Sequence, residues 1–371
     1  METFDKEFLL QEYLKPSPQL LRDIINIDGD ILILGAGGKM GPSMAKLARE
    51  AINKTNIQKE VITVSRFSDP DIKNDLNKFG VTTIEADLLN EDDLKKIPDT
   101  PNVIYLVGHK FGTTGNEPYT WAMNTFLPGM VAEKFKQSNI VVFSSGNVYP
   151  LSHITTGGMT EDRSASPIGE YAQSCLGRER IFQHFSQKHN TPILIYRLNY
   201  ANDVTYGVLL EIARSVYGGK EIDLTMGNVN VIWQGDANEI AIRSLLHCSV
   251  PGKILNVTGP ETISVRWIAD EFGKVFNKTP KYTGIEEPNS LLSNAAECFK
   301  LFGYPKVSLK QMIELISYWV IEGGKVRKAD PFSRKGGQIL NQLSYEYNNK
   351  SGCFSKTKER RIHPGTSPRF T

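Results

Sequence analysis

Along the first two hundred residues, short runs that are apolar on both faces alternate with stretches of helical periodicity. The apolar runs read "DILILG", "EVITVSR", "VTTIEAD", "NVIYLVG", "IVVFSS" and "TPILIYRL". The first helical stretch, "KMGPSMAKLAREAIN", spaces Met40, Met44, Leu47, Ala48 and Ala51 along one face. "DPDIKNDLNKFG" and "EDDLKKI" follow, then "YTWAMNTFLPGMVAEKFKQS", where Pro128-Gly129 predicts a kink. "EYAQSCLGRERIFQHF" opens a long amphipathic helix before the sixth strand. Strands apolar on both faces, alternating with helices, require a parallel sheet covered on both sides, with right-handed crossovers.

After Asn199 the rhythm loosens. The pattern predicts a helix over 204–217, short strands at "EIDL" and "NVNVIW", a helix over 236–247 and the strand "KILNVTG". A helix over 264–277 with Ser264 as its N-cap comes next, and a last helix over 308–322 stops at Gly323-Gly324.

Composition adds mainly exclusions. Hydrophobic residues make up 40% and charged residues 23% of the 371, as in an ordinary globular chain. No apolar run approaches the ~20 residues of a membrane span. A formal net charge of +2 is too small to suggest a nucleic-acid partner. The four cysteines (Cys175, Cys248, Cys298, Cys353) form no CxxC pair, so free thiols in a reducing compartment are expected. With no secretory leader in "METFDKEFLLQEYLK", this points to a cytoplasmic protein. The six histidines form no HxxxH or HExxH pair, His109 and His153 read as loop residues, and no metal site is expected. From Pro331 onward eight Lys or Arg face two Glu, in a polar segment without apolar period. This basic tail reads as a disordered extension or, less simply, as a polyanion contact.

"ILGAGGKMG" carries the first chemistry. Gly35, Gly37, Gly38 and Gly41 directly follow a buried strand and open a helix. Small residues there let the backbone approach a pyrophosphate at a helix N-terminus. At the end of the second strand, where an acidic residue would select NAD, stand Ser65 and Arg66. A hydroxyl and a guanidinium suit a ribose 2′-phosphate and favour NADP over NAD, unless Arg66 stacks on adenine or lies in solvent.

The spacing GxxGxxG, at Gly35, Gly38 and Gly41, resembles the short-chain dehydrogenase/reductase superfamily, especially its extended branch, the NAD-dependent epimerase/dehydratase family. The resemblance covers roughly residues 30–325. It implies a cofactor site at Gly35, Gly37, Gly38, Lys39, Met40, Gly41, Arg66, Asp87, Leu88, Val107 and Gly108. Asp87 would contact adenine, or else simply cap a helix. "VVFSSGNVYP" is similar to the family's "SS…VYG" segment and makes Ser145 the catalytic hydroxyl. Tyr171, 26 residues on, takes the place of the general acid/base. Asn124 would hold a water or main-chain carbonyl near the site.

One departure stands out. The family places a lysine four residues after the tyrosine, and here that residue is Cys175. A free phenol ionises near pH ~10, and a cation about 5 Å away at an effective dielectric near 20 lowers this by roughly two units. A neutral thiol does not. Cys175 itself reads as a small buried hydrophobe rather than a nucleophile. The substitute cation would be the oxidised nicotinamide or Lys110, in "GHKFGTTGNEP" after the fourth strand. Arg178, two turns from Tyr171, would pair with a carboxylate.

The expected architecture is α/β. A helical extension (1–29) precedes a doubly wound Rossmann-type domain (30–198), a smaller substrate-binding lobe interleaved with the core (199–328), and the tail (329–371). Two functions are compatible with this. One is an NAD(P)-dependent oxidoreductase, epimerase or dehydratase acting on a sugar, sugar acid or nucleotide sugar. Its substrate would lie between the 109–121 loop, the 146–166 loop, "RLNYAN" and "VIWQGD". The other is a cofactor-binding sensor or scaffold without turnover. A homodimer suits either.

Overall fold

The structure, a computed structural model, describes residues 12, 15–110 and 115–326. The basic tail and Cys353 lie outside the described residues. Seven parallel strands form the central sheet: β1 (Ile31–Leu34), β2 (Val61–Ser65), β3 (Thr82–Glu85), β4 (Asn102–Tyr105), β5 (Asn139–Ser145), β6 (Ile193–Leu198) and β7 (Lys253–Val257). Their spatial order is β7-β6-β5-β4-β1-β2-β3. The chain runs outward from β1 to β3, then crosses back to β4 on the other side of β1. Such a reversal opens a crevice at the carboxyl ends of the strands, where open α/β sheets bind ligands. The sheet is of the Rossmann type. Its six N-terminal strands are those that the apolar runs mark out, and β7 is the "KILNVTG" segment.

Helix α1 (Pro18–Asn26) is capped by Ser17, whose hydroxyl accepts from Leu20 N at 3.0 Å. Helix α2 (Gly41–Thr55) buries Met44, Leu47, Ala48 and Ala51, the face read from the periodicity. Helices α3 (Pro70–Lys78) and α4 (Glu91–Lys96) come next, capped by Asp69 and Asn90. The interruption in the next helix falls just before Pro128-Gly129 and takes the form of a π segment. Helix α5 (Glu117–Trp121) widens into a π segment (Ala122–Phe126) before α6 (Leu127–Lys134), and Pro128 lies in the first turn of α6. The cause is local. A proline ring clashes with the carbonyl four residues earlier and offers it no N–H, and a wider turn relieves both.

Helix α7 (Gly169–His189) carries Tyr171. The later helices are α8 (Val208–Tyr217), α9 (Gln234–Arg243), α10 (Val265–Phe276), α11 (Ala296–Phe302) and α12 (Leu309–Ile321). Ser264 caps α10 as expected, accepting from Trp267 N. The helix expected from 204 begins at Val208, because Asp203 first closes a turn on Thr205. The helix expected over 236–247 starts two residues early and ends in a 3₁₀ turn over Ser244–His247. "NVNVIW" divides into two strands: Asn228–Val229 pairs with Ile263–Ser264, and Ile232–Trp233 with Ala201–Asn202.

One face of the sheet packs Ile31, Ile33, Leu194 and Tyr196 under α1, α2 and α9. The other packs Leu32, Leu34, Tyr105 and Val142 under α6 and α7. A second apolar cluster joins α8, α10 and α12 around Trp233 and Phe272. Between β6 and α7 lies a buried ion pair. Arg197 donates to Glu179 from Nε at 2.9 Å and from Nη2 at 2.7 Å, with both side chains almost fully enclosed. Ser144 of β5 also donates to Glu179, at 2.5 Å, and Arg197 Nη1 donates to the Tyr149 hydroxyl at 2.6 Å. That hydroxyl donates in turn to Asn256 of β7 at 2.9 Å.

Removing one partner of such a pair strands the other charge in the core. Arg197→Met is therefore expected to cost about 3–5 kcal/mol, read as a lower midpoint in denaturant unfolding. A loss within the range of surface substitutions would show that the network adds little.

Candidate active site

The turn from β1 into α2 is shaped by close approach. Gly35 has φ +86°, and a Cβ there would come within 3.0 Å of Val107. A Cβ on Gly41 would lie 2.4 Å from the Ala36 carbonyl, so the helix starts directly on the strand exit. Gly38 differs, because a Cβ there would meet only the Gly35 carbonyl, at 3.4 Å. The first N–H groups of α2 have no side-chain cap. A helix start without a side-chain cap, at the positive end of the helix dipole, suits an anion. The residue set fits a dinucleotide pyrophosphate.

The other residues expected at a cofactor spread along the carboxyl edge. Arg66 is exposed after β2, with its Nη1 3.5 Å from the Tyr119 hydroxyl. Ser65 lies against Gly37 and accepts from Phe67 N at 3.3 Å. Asp87 is exposed and closes a turn on Leu89 N at 3.1 Å. It is not the helix cap, because Asn90 accepts from both Asp92 N and Asp93 N. Leu88 turns its side chain into the core, and Val107 packs against Gly35. Gly108 lies against Arg178, since a Cβ there would come 2.6 Å from Nη2.

Beside the glycine-rich turn is a cavity of about 260 Å3. Lys39 and Met40 form part of its wall, and it brings Lys110, Ser145 and Tyr171 together with Asn199, Tyr200 and Tyr206. Ser145 caps the 3₁₀ turn Gly146–Val148 by accepting from Asn147 N at 3.2 Å, and it also faces the Tyr171 phenol. Burial raises the phenol far above its ordinary range, and the Cys175 thiol adds to this, whereas Arg178 and the Ser145 contact pull it back. Cys175 is fully buried against Val148 and Tyr149, and desolvation raises its pKa too. The Lys110 ammonium lies 5.9 Å from the centre of the Tyr171 ring. The residue as a whole is exposed, but its charged end reaches into the cavity. Desolvation there lowers its pKa, against the opposing pull of Cys175 and Glu211.

Asn124 does not line the cavity. It is fully buried, and its amide brackets the backbone of His109: Oδ1 accepts from His109 N at 2.7 Å and Nδ2 donates to His109 O at 2.9 Å. The same Oδ1 accepts from Arg178 at 2.8 Å, while Nδ2 also donates to Ser174. Arg178 does not pair with a carboxylate as expected. Its Nη1 donates to the Phe143 carbonyl at 2.7 Å, because the neighbouring carboxylate, Glu179, is already held by Arg197.

Two aromatic residues carry no motif: Tyr200 lies in "RLNYAN", a segment expected at the substrate, whereas Tyr206 was not expected at the site. Tyr200 has φ +44°, an unfavourable conformation for a bulky side chain, and its buried hydroxyl has no hydrogen-bond partner among the described residues. Tyr206 stacks under the Lys39 ammonium at 5.0 Å and donates to Gln234. Their signal was an aromatic-rich loop at a strand's carboxyl end, "RLNYANDVTY". "VIWQGD" does not line the cavity. Trp233 and Asp236 are core residues, and Gln234, outside the lining, accepts from Tyr206 and donates to Ser43 of α2 at 2.7 Å. Among the described residues no group of three or more His, Cys, Asp or Glu could hold a metal, and no helix is long and apolar enough to cross a membrane.

A family model, the NAD dependent epimerase/dehydratase family, matches residues 31–226. The chain belongs to this family. A search of curated proteins gave no match. Among solved structures, this family member is similar to UDP-glucose 4-epimerase from Thermotoga maritima with UDP-glucose, at 15% identity, covering 79% of this chain and 99% of that one with a TM-score of 0.65. It is similar also to UDP-glucuronic acid 4-epimerase from Bacillus cereus in complex with UDP-glucuronic acid and NAD, at 17% identity over 79% and 99% of the two chains, TM-score 0.65. A third is MoeE5 in complex with UDP-glucose and NAD, at 18% identity over 80% and 99%, TM-score 0.63. At these identities the likeness is one of fold.

Because a side chain at position 38 fits the turn itself, Gly38→Asp separates folding from ligand binding. The variant should unfold at the same temperature as the parent and lose calorimetric binding of NAD and NADP. Undiminished binding would place the dinucleotide elsewhere.

Proposed function

We propose that this family member is an NAD(P)-dependent enzyme, an epimerase, dehydratase or oxidoreductase, acting on a sugar, sugar acid or nucleotide sugar. The observation that carries the reading is the meeting of Ser145, Tyr171 and Lys110 in one cavity walled by the glycine-rich turn. Backbone N–H groups at the start of α2 would hold the pyrophosphate, since those of Gly35, Ala36 and Gly38 are already bonded to carbonyls of β2 and of the turn. The bound nicotinamide supplies the hydride acceptor and donor. Ser145 donates a hydrogen bond to the substrate oxygen at the reacting carbon, and Tyr171 exchanges a proton with that oxygen. Asn124 fixes His109 and so aims the next residue, Lys110, at the site. Tyr200 supplies a hydroxyl that a polyhydroxyl substrate could satisfy. A sensor without turnover would have no use for a juxtaposed hydroxyl pair. The nucleotide sugars held by the similar structures agree with the substrate class.

We further propose that NADP is preferred, because Ser65 and Arg66 stand where the ribose 2′ position is read and no acidic side chain replaces them. Thermal-shift and turnover assays with NAD, NADP and a panel of sugar nucleotides test the reading. Tyr171→Phe should keep cofactor binding and lose turnover by several orders of magnitude. Retained turnover would remove Tyr171 from the chemistry.

Arg66→Ala should weaken NADP at least about tenfold relative to NAD, the loss of one charge-assisted contact. Equal weakening of both cofactors, measured by calorimetry, would show that Arg66 serves adenine or the fold instead.

A further inference from the structure

Helix α7 lacks a cation one turn after Tyr171, but it carries one a turn later. We propose that the guanidinium of Arg178 supplies the fixed positive charge that stabilises the ionised Tyr171 phenol, taking over the electrostatic role of a lysine at position 175. This rests on the reading of Tyr171 as the proton-exchanging group. Arg178 does not touch the reacting atoms; it is a positioning residue that acts through Tyr171.

Four observations converge on it. First, Arg178 is 5% exposed and makes no salt bridge among the described residues, and its Nε has no partner there. Its two held nitrogens meet neutral acceptors, the Phe143 carbonyl at 2.7 Å and Asn124 Oδ1 at 2.8 Å. A buried guanidinium is ordinarily neutralised by a carboxylate, because an uncompensated charge in the core is costly. Second, the side chains that feel its charge are neutral acids. The guanidinium lies 5.9 Å from the centre of the Tyr105 ring, whose hydroxyl is itself buried without a partner among the described residues, and its charge acts on Cys175 and Tyr171. Such a cation favours whichever of these acids ionises, and of the three only Tyr171 lines the cavity.

Third, the path is built. Residues 171, 175 and 178 have i, i+4, i+7 spacing and share one face of α7. The strand exit opposite is reduced to Gly108, where a Cβ would stand 2.6 Å from Nη2. The small side chain at Cys175 leaves no competing cation between them. Fourth, Lys110 is less suited than Arg178 to be this fixed charge. Its ammonium is desolvated in the cavity, which lowers its pKa, and it sits on the face of the Tyr171 ring, 5.9 Å from its centre, at the end of a side chain from an exposed residue. An arginine keeps its charge at every working pH.

The other groups in reach are accounted for. Glu179, next on the helix, is bound by Arg197 and Ser144. Glu211 faces Lys110 from α8, and Ser145 faces the phenol from β5.

The test is a pH–rate profile, with a second readout that needs no substrate. In the oxidising direction, where Tyr171 must accept a proton, Arg178→Gln should move the rising limb upward by on the order of one pH unit, with KM little changed. It should also raise the titration midpoint of the Cys175 thiol, followed by thiolate ultraviolet absorbance against a Cys175→Ser background. Arg178→Lys should return both toward the parent values. Asn124→Asp sets a carboxylate on the guanidinium without removing it, and should move both readouts in the same direction as Arg178→Gln. It serves if Arg178→Gln does not fold. Unmoved limbs and thiol titrations in the folded variants, with Tyr171→Phe inactive, would overturn the inference and leave the catalytic reading standing. Full turnover by Tyr171→Phe would overturn both.

Discussion

The placement of helix α7 depends on one enclosed ion pair. Glu179 is gripped at both oxygens by Arg197 of β6 and takes a further hydrogen bond from Ser144 of β5. Arg197 extends the grip through Tyr149 to Asn256 of β7. Three adjacent strands are thus tied to one point on the helix. Tyr171 lies eight residues toward the N-terminus, about 12 Å along the axis, on a helix that can neither slide nor turn without breaking this contact. The phenol's place in the cavity is set by a contact made deep in the core.

The same turn of helix sorts opposite charges. Glu179 faces β6, and Arg178, one residue earlier, faces the exit of β4 and the π segment. Had the two side chains met each other, each would be neutralised and neither would organise its surroundings. Instead the carboxylate fixes the backbone, and the guanidinium is held by neutral acceptors alone, the Phe143 carbonyl and the Asn124 amide oxygen.

Much of this was legible in the sequence because it depends on local rules. Buried strands show as unbroken apolar runs, as at β1, β2, β4, β5 and β6, whereas β3, an edge strand, is only partly covered. The glycine spacing marks the turn at 35–41 because close approach at Gly35 and Gly41 tolerates nothing larger. Ser264 announces its helix through capping chemistry alone. The features that stayed hidden depend on tertiary contact. Helix α11 is seven residues long, too short for a period to show. The two-residue strands owe their existence to partners far along the chain. The neutral partners of Arg178 could not be read from spacing, since the nearest carboxylate in sequence is committed to a residue on another strand. The segment of Tyr200 was expected at the substrate, but nothing local marks a tyrosine that the fold holds at positive φ.

The π segment has a consequence for how the site's two sides are connected. One extra residue in a helical turn rotates the upstream part of a helix by roughly 100° relative to the downstream part. Upstream of the step, Tyr119 reaches Arg66 and the His109 ring, while Trp121 donates to Glu170 at 2.6 Å. Within it, Asn124 clasps His109, and Thr125 donates to the Ser174 carbonyl at 3.2 Å. A regular helix would present these groups at a constant angular interval and could not serve all of these neighbours at once. The widened turn works like an offset coupling between two shafts. It lets one continuous stretch of chain hold His109 from both sides of the step while it meets helix α7 at two points, Glu170 and the Ser174 carbonyl.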